Sequence, residues 1–197
     1  MRNTMRHWMW TALLACSVMS AWAISADQVP ENKRTPLGLY LTSREAYDMK
    51  QERGDAVLFI DVRSKAEAVF LGMPTVADAL LPLEEFNGDS APWNDKASTY
   101  ASDMNLDFVA QMKALIQSKG LDSHAPIVLM CRSGSRSALA PGLLAKYGFD
   151  HVYSVIDGYE GDVAKTGPQA GQRSVNGWRM QGLPWSYQLD PKKMPKN

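Results

Sequence analysis

Two short, continuous apolar runs constrain the fold of this chain more than any other feature. They are VLFIDV at residues 57–62 and IVLMC at residues 127–131. Apolar runs of this length, without alternation, are typical of strands buried on both faces, as in parallel sheets. Helical patterns precede and separate them: one helix ends at Gly54, before the first run, and apolar residues recur at helical spacing from 105 to 120, between the two runs. The pattern predicts an α/β domain with a mostly parallel sheet.

The flanking segments extend this prediction. Ser43 is a plausible N-cap for the first helix, and ALLPL at residues 79–83 is a weaker strand candidate. RSALAPGLLAKYG predicts a helix ending at Gly148, followed by a third strand, HVYSVI. Pro141 lies inside that helical pattern, so we expect a kink after the first turn. Residues 84–104 show no periodicity and are predicted to form a long loop or a lid.

The first 23 residues differ in composition from the rest. A short basic start, MRNTMRH, precedes an apolar stretch and the small residues Ala21 and Ala23. This plan predicts a cleaved secretory signal peptide at 1–23 and export to the periplasm, and the stretch is too short for a permanent membrane span. An alternative is lipid attachment at Cys16, because LLAC resembles a lipobox, although the apolar run continues past Cys16.

The remaining chain divides into three parts. We predict a flexible lead-in at 24–39, one domain at 40–188 and a polar tail at 189–197. Lysine and arginine number 21 against 21 acids, and loss of Arg2 and Arg6 with the signal leaves a net charge of about −2. A net charge this close to zero does not indicate binding to nucleic acid or to an anionic membrane surface.

Cysteine usage points to chemistry. Of two cysteines, only Cys131 remains once the signal is removed. An odd cysteine in an oxidising compartment has either a partner thiol on another molecule or a reactive role. Without clustered histidines or a second cysteine, we expect no metal site and no cofactor.

The loop CRSGSRS at residues 131–137 can activate that thiol. It follows a buried strand at the edge where parallel sheets build their sites, and Gly134 lets the backbone curl so that N–H groups converge. The following helix and the side chains of Arg132 and Arg136 add positive charge, which favours a thiolate and attracts an anion. Cys131 and Arg136 show a C-x4-R spacing, one residue shorter than the C-x5-R of cysteine phosphatases, so a sulfur carried on the cysteine fits better than a phosphoryl group.

The sequence resembles the single-domain rhodaneses, in particular exported bacterial rhodanese-like sulfurtransferases. The resemblance covers roughly 40–188 and is carried by VLFIDVR, CRSGSRS, VYSVIDGYEG and WRMQGLP. It implies a five-stranded parallel sheet with helices on both faces. It also implies transfer of sulfane sulfur through a Cys131 persulfide, from a thiosulfate- or polysulfide-type anion to a thiol or cyanide-type acceptor.

The resemblance also implies roles for the residues around Cys131. Arg132 and Arg136 would bind the donor anion, and the backbone N–H groups of 132–136 would stabilise the persulfide. The substrate-binding loop also contains Ser133, Gly134, Ser135 and Ser137, with the serines as hydrogen-bond donors or caps. Asp61 and Arg63 have supporting roles, as a carboxylate near the loop and a structural ion pair.

Two departures from the family pattern stand out. GMPTVADALLP replaces the usual Gly-His-Ile-Pro-Gly-Ala element, and insertions occur at 84–104 and 162–176. The alternatives to a sulfurtransferase are a non-catalytic binding or sulfur-carrier module and, less in keeping with the spacing, a cysteine-dependent phosphatase. The sequence leaves the oligomeric state open.

Overall fold

The computed structural model describes residues 24–86 and 88–195. The signal-peptide prediction for 1–23, with its Cys16 alternative, lies outside the described residues. The helices and strands in chain order are β1 (Tyr40–Leu41), α1 (Ser43–Arg53), β2 (Leu58–Asp61), α2 (Lys65–Leu71), β3 (Met73–Pro74), β4 (Ala79–Leu80), β5 (Glu84–Glu85), β6 (Trp93–Asn94), β7 (Thr99–Tyr100), β8 (Asp103–Met104), α3 (Phe108–Ser118), β9 (Ile127–Met130), α4 (Leu139–Ala145), β10 (Val152–Val155) and β11 (Trp185–Ser186).

A five-stranded parallel sheet organises the domain, as predicted. Its strand order is β1–β10–β9–β2–β4, and every neighbouring pair in it is parallel. The two apolar runs from the sequence, β2 and β9, lie side by side at its centre, with Leu58 opposite Ile127 and Asp61 opposite Met130. Both strands are buried along their whole length. This burial explains their continuous hydrophobicity.

Helices cover both faces of the sheet, because successive strand side chains point to opposite sides. Leu58, Ile60 and Leu129 belong to one buried cluster, which also contains side chains of α3 and α4. Phe59, Val128 and Met130 belong to a second cluster with side chains of α1 and α2. The helical members of the first cluster are Phe108, Met112, Ile116, Ala140 and Leu144, and those of the second are Ala46, Met49 and Ala68.

The helix boundaries differ from the predicted ones at two points. Thr42, not Ser43, caps α1: its side chain accepts from the backbone N–H of Glu45, whose carboxylate accepts from the N–H of Thr42. Pro141 is the third residue of α4, inside the first turn. A residue there has no intrahelical acceptor for its N–H, so proline removes no hydrogen bond and needs no kink.

Residues 84–104, which we call the arm, are more regular than the predicted loop or lid. β5 pairs with β8 at its base, and β6 pairs with β7 farther out, both antiparallel. The outer pair is exposed on both strands. The arm is therefore a narrow two-stranded projection from the carboxyl end of β4.

The segments before and after the sheet pack against the domain. Residues 24–39 form two 3-10 turns, Ala26–Gln28 and Glu31–Lys33, and bury Val29. The ammonium group of Lys33 contacts Asp162 at 2.7 Å. This packing differs from the flexible lead-in that the sequence predicts.

The C-terminal region supplies part of the core. Trp178 is fully buried and makes edge-to-face contacts with Tyr47 and Phe59. Its indole N–H donates to the carbonyl of Pro184 at 3.0 Å. In the described part of the chain, no helix has the length and apolar character that crossing a bilayer requires.

Candidate active site

Cys131 follows directly after β9, at the carboxyl edge of the sheet. Its side chain is only 1% exposed and lies in the cluster under α3 and α4. It forms no disulfide. Its carbonyl accepts a hydrogen bond from the N–H of Tyr159 at 2.8 Å. Buried strands on both sides and this backbone contact fix the position of the sulfur.

Gly134 turns the loop back toward the sulfur. Its N–H donates to the Sγ of Cys131 at 3.1 Å. This geometry uses φ of +94°, and a Cβ at this position would lie 2.1 Å from the carbonyl oxygen of Ile156. Only glycine fits, because any side chain would meet both a disfavoured backbone conformation and a neighbouring strand end.

The segment 156–161 forms the opposite wall of the loop. Gly158 has φ of +62°, and a Cβ there would come within 2.6 Å of the backbone nitrogen of Ser133. The N–H of Glu160 donates to the carbonyl of Arg132 at 2.9 Å. The two backbones therefore approach at a glycine on each side.

The serines of the loop occupy different environments. Ser137 is buried, donates to the carbonyl of Gly134 at 3.2 Å and pairs with the hydroxyl of Ser154 at 3.0 Å. Ser133 and Ser135 are half-buried. Of the three, Ser137 holds the shape of the loop from inside the protein.

Arg136 forms a two-pronged ion pair with Glu67. Its two terminal nitrogens donate to the two carboxylate oxygens at 2.8 and 2.6 Å. Burial lowers the pKa of Arg136, but the hydrogen bonds and charge of Glu67 outweigh it, and electrostatic interactions with Cys131 and Glu84 add to the net upward shift. Burial likewise raises the pKa of Glu67, and the contacts with Arg136 reverse this to a net lowering.

Sequence reasoning missed Glu67. It stands three residues after Ser64, and the pair forms a capping box at the start of α2, with the N–H of Ser64 donating to Glu67 at 2.9 Å. Ser-x-x-Glu after a strand is a recognisable cap signature, so the helix start was visible in the sequence. The contact with Arg136, 69 residues away, was not.

Arg132 points outward. Its Nε donates to Glu160 at 2.5 Å in an exposed ion pair. The sequence assigned both Arg132 and Arg136 to anion binding, and in the structure each guanidinium already contacts a carboxylate. Anion binding by either arginine therefore requires the anion to share or displace a glutamate.

Asp61 and Arg63 form a buried ion pair under the site. The guanidinium donates to Asp61 at 2.9 and 2.6 Å and to the carbonyl of Gly72 at 2.7 Å. It also lies 3.8 Å from the ring centroid of Tyr159. Burial lowers the pKa of Arg63, and the charge of Asp61 more than compensates. Burial raises the pKa of Tyr159, whose hydroxyl donates to the carbonyl of Leu71 at 2.9 Å.

Other features of the described residues lie away from the thiol. A cavity of about 620 Å³ opens between β4, α3 and residues 190–195, and Cys131 is not among its lining residues. Over 24–86 and 88–195, no cluster of three or more His, Cys, Asp or Glu side chains could hold a metal ion.

Comparison with known proteins agrees with this architecture. The family described as Rhodanese-like domain matches residues 42–165. Uncharacterized proteins of Rickettsia conorii and Rickettsia rickettsii are 26% and 27% identical over 147 residues, 75% of this chain and 96% of theirs. The crystal structure of Rv0390 from M. tuberculosis is 26% identical, covers 75% of this chain and 96% of its own, and has a TM-score of 0.55.

The fold and the cysteine loop define a single-domain protein of the rhodanese type. The chain belongs to the Rhodanese-like domain family. At the level of that family, membership supports a sulfurtransferase-type function.

Proposed function

We propose that this protein is a sulfurtransferase that carries sulfane sulfur on Cys131. The observation that supports this most directly is the hydrogen bond from the N–H of Gly134 to the Sγ of Cys131, in a loop too tight for any residue but glycine. A backbone donor aimed at the sulfur stabilises negative charge on the thiolate and on a persulfide. The proposed mechanism uses no histidine base, because the N–H of Gly134 and the charge of Arg136 would stabilise negative charge that develops on the sulfur.

In the first step, the thiolate of Cys131 attacks the outer sulfur of an anion such as thiosulfate. A Cys–S bond forms, the S–S bond of the donor breaks, and sulfite leaves with the electron pair. A polysulfide reacts in the same way and leaves one sulfur shorter. Arg136 interacts electrostatically with Cys131, and its guanidinium would contact both Glu67 and the incoming anion.

In the second step, a thiophilic acceptor removes the added sulfur. A cyanide ion or a thiolate attacks the terminal atom of the persulfide. The S–S bond breaks, and its electron pair returns to Cys131 as a thiolate, so the cycle consumes no external oxidant or reductant. The product is thiocyanate or a new persulfide.

Intact mass measurement tests the loading step. Incubation with thiosulfate or polysulfide should add one sulfur, about 32 Da, to the protein, and Cys131→Ala should add none. Absence of the gain with every donor of this class would overturn the proposal. Aryl phosphate hydrolysis that depends on Cys131 would instead favour a phosphatase.

A sulfur carrier without efficient turnover is the second candidate. The near-complete burial of Cys131 favours it, because any acceptor reaches the sulfur only when the loop opens, and this opening would slow turnover. Steady-state thiocyanate formation separates the two functions: a turnover enzyme releases many thiocyanates per protein, whereas a carrier releases only the preloaded sulfur.

We further propose that the protein works in the periplasm after removal of residues 1–23. The basic and apolar pattern of that segment supports export. Cell fractionation with mass analysis of the mature N-terminus tests this. A chain that starts after Ala23 is expected, whereas a lipid-modified chain that starts at Cys16 would favour the anchored alternative.

A further inference from the structure

The base of the arm contacts the start of α2, which in turn contacts the cysteine loop through Glu67. The carboxylate of Glu84, in β5, accepts from the hydroxyl of Ser102 at 3.0 Å, and its charge acts on Arg136. Glu85 accepts from the N–H of Lys65, at the start of α2, at 3.0 Å. The base of the arm therefore lies next to the start of α2, the helix that supplies Glu67 to the ion pair with Arg136.

The arm exposes aromatic side chains. Trp93 and Tyr100 are 55% and 59% exposed and contact each other edge to face, with ring centroids 5.4 Å apart. Phe86, nearer the base, is 45% exposed. Exposed aromatic side chains grouped on one surface are typical of a site that binds a partner.

A cavity of about 500 Å³ opens beside Phe86 and Tyr100. Its lining consists of Phe86, Gly88, Asp89, Ala91, Thr99 and Tyr100. Aromatic walls with one carboxylate match a lysine or arginine side chain, whose apolar stem packs on the rings while its charge meets the π-face and the acid. The lining thus specifies a cationic side chain with an apolar stem.

The charge of the arm agrees with that lining. It carries five carboxylates and one lysine, whereas the whole chain is neutral. Neither Asp89 nor Asp95 forms an ion pair with another described residue. These two carboxylates remain available to a positively charged partner, which they would also attract over a distance.

We propose that the arm docks a basic, apolar protein segment whose cysteine accepts the sulfur from Cys131. This inference rests on the proposed sulfurtransferase function and names the class of its acceptor. Phe86, Trp93 and Tyr100 provide the anchors, and Asp89 and Asp95 select positive charge. The acceptor thiolate attacks the terminal sulfur of the persulfide, and the electron pair of the broken S–S bond returns to Cys131.

Two peptides test the proposal. In one, lysines and leucines flank a single cysteine; in the other, glutamates replace the lysines. With the full mature chain loaded with sulfur, transfer to the basic peptide should be at least about tenfold faster than to the acidic one, and the difference should shrink with added salt. Equal transfer rates to the two peptides would overturn the proposal.

Variants locate the preference on the arm. Trp93→Ala, and Asp89→Asn combined with Asp95→Asn, should reduce the ratio of transfer to the basic peptide over transfer to cyanide by about tenfold. Glu52→Gln combined with Asp55→Asn removes two exposed charges far along the chain from the arm and should leave that ratio unchanged. If the two double variants lower this transfer ratio equally, the arm is not the docking surface.

Binding separates this inference from the proposed function. Fluorescence anisotropy of labelled peptides with serine in place of cysteine measures docking without sulfur chemistry. If the basic peptide binds the parent protein and Trp93→Ala abolishes this binding, docking is supported even where Cys131 takes up no sulfur. Sulfur loading without any such binding overturns docking and leaves the transferase intact. A change in oligomeric state in Trp93→Ala with unchanged peptide binding would assign the arm to contact between copies, which also overturns the proposal.

Discussion

The guanidinium of Arg136 interacts with both Glu67 and Cys131. It binds the carboxylate of Glu67 through two hydrogen bonds, and an electrostatic interaction with Cys131 also contributes to its raised pKa. A charge at a partly buried site interacts more strongly than one in bulk water. The neighbouring carboxylate offsets much of that effect at the sulfur, so the two residues should have opposite influences on the reactivity of Cys131.

Alkylation of Cys131 by iodoacetamide measures those influences. Arg136→Ala leaves Glu67 beside the sulfur without its counter-charge and should slow alkylation at neutral pH by about tenfold, whereas Glu67→Gln should speed it. Arg132→Ala is the matched control, because its guanidinium is exposed and contacts Glu160. Equal rates in all three variants would show that Arg136 has no electrostatic role at the thiol.

Gly134→Ala tests the shape of the loop. The added Cβ would lie 2.1 Å from the carbonyl oxygen of Ile156, which should displace the N–H from the Sγ of Cys131 and abolish sulfur loading. Gly148→Ala is a close control, since Gly148 has a similar φ of +88° and open space around its Cβ position. The unfolding free energy should fall by about 2 kcal/mol more at Gly134 than at Gly148, and sulfur loading measured by intact mass should survive at Gly148. Loading that survives in Gly134→Ala would contradict the assigned role of the loop.

Sequence reasoning reached the nucleophile but not its surroundings. Cys131, Gly134 and Arg136 stand in one short motif, so local spacing predicted that they share a loop. Glu67 and Glu160 lie far from that motif in sequence, and a single sequence carries no information on which distant carboxylate approaches which arginine. The sequence therefore predicted the residues of the loop but neither the role of Glu67 nor the effective charge at the site.

At the scale of elements, α2 connects the sheet to the cysteine loop. Ser64 and Glu67 cap its first turn, and the same carboxylate binds Arg136. A cap that also forms a tertiary ion pair couples the helix start to the loop, so removal of its charge should affect stability as well as reactivity.

The pH dependence of stability isolates that charge. Burial raises the pKa of Glu67, but contacts with Arg136 lower it below its ordinary value of 4.5. The stabilisation is therefore complete above about pH 4.5 and is lost as pH falls through the lower, folded-state value. Glu67→Gln should reduce the unfolding free energy by about 2 kcal/mol at pH 7. In urea titrations, the difference in unfolding free energy between Glu67→Gln and the parent protein should shrink only below pH 4.5. A difference that stays unchanged down to pH 2 would mean that the ion pair contributes nothing.

Among the strands, the longer buried ones were predicted from the sequence and the exposed ones were not. β2 and β9 are buried on both faces and were visible as apolar runs. β6 and β7 are exposed and two residues long, so neither alternation nor a continuous apolar run marks them. Pro141 misled the α4 prediction because its cost depends on where the helix starts, and the sequence pattern placed that start too early.

At the scale of the whole molecule, the lead-in and the 162–176 insertion stabilise each other across the surface. Lys33 is buried against Asp162, and Asn176 donates to the same carboxylate at 3.1 Å. The backbone of Val29 accepts from the guanidinium of Arg34 at 2.9 Å. The sequence did not predict that the lead-in packs against the domain, because a single valine among polar residues shows no periodicity from which burial could be inferred.

Val29→Ala measures how much the lead-in contributes to the fold. Val29 is 1% exposed, so truncation should lower the unfolding free energy by about 2 kcal/mol through lost burial and the space left behind. Val175→Ala makes the same chemical change in the 162–176 insertion, where the side chain is 59% exposed, and should change stability by less than about 0.5 kcal/mol. Urea unfolding followed by tryptophan fluorescence gives both values. Equal, small effects would mean that the segment before β1 is flexible in solution, as its composition suggests, and that the domain is stable without it.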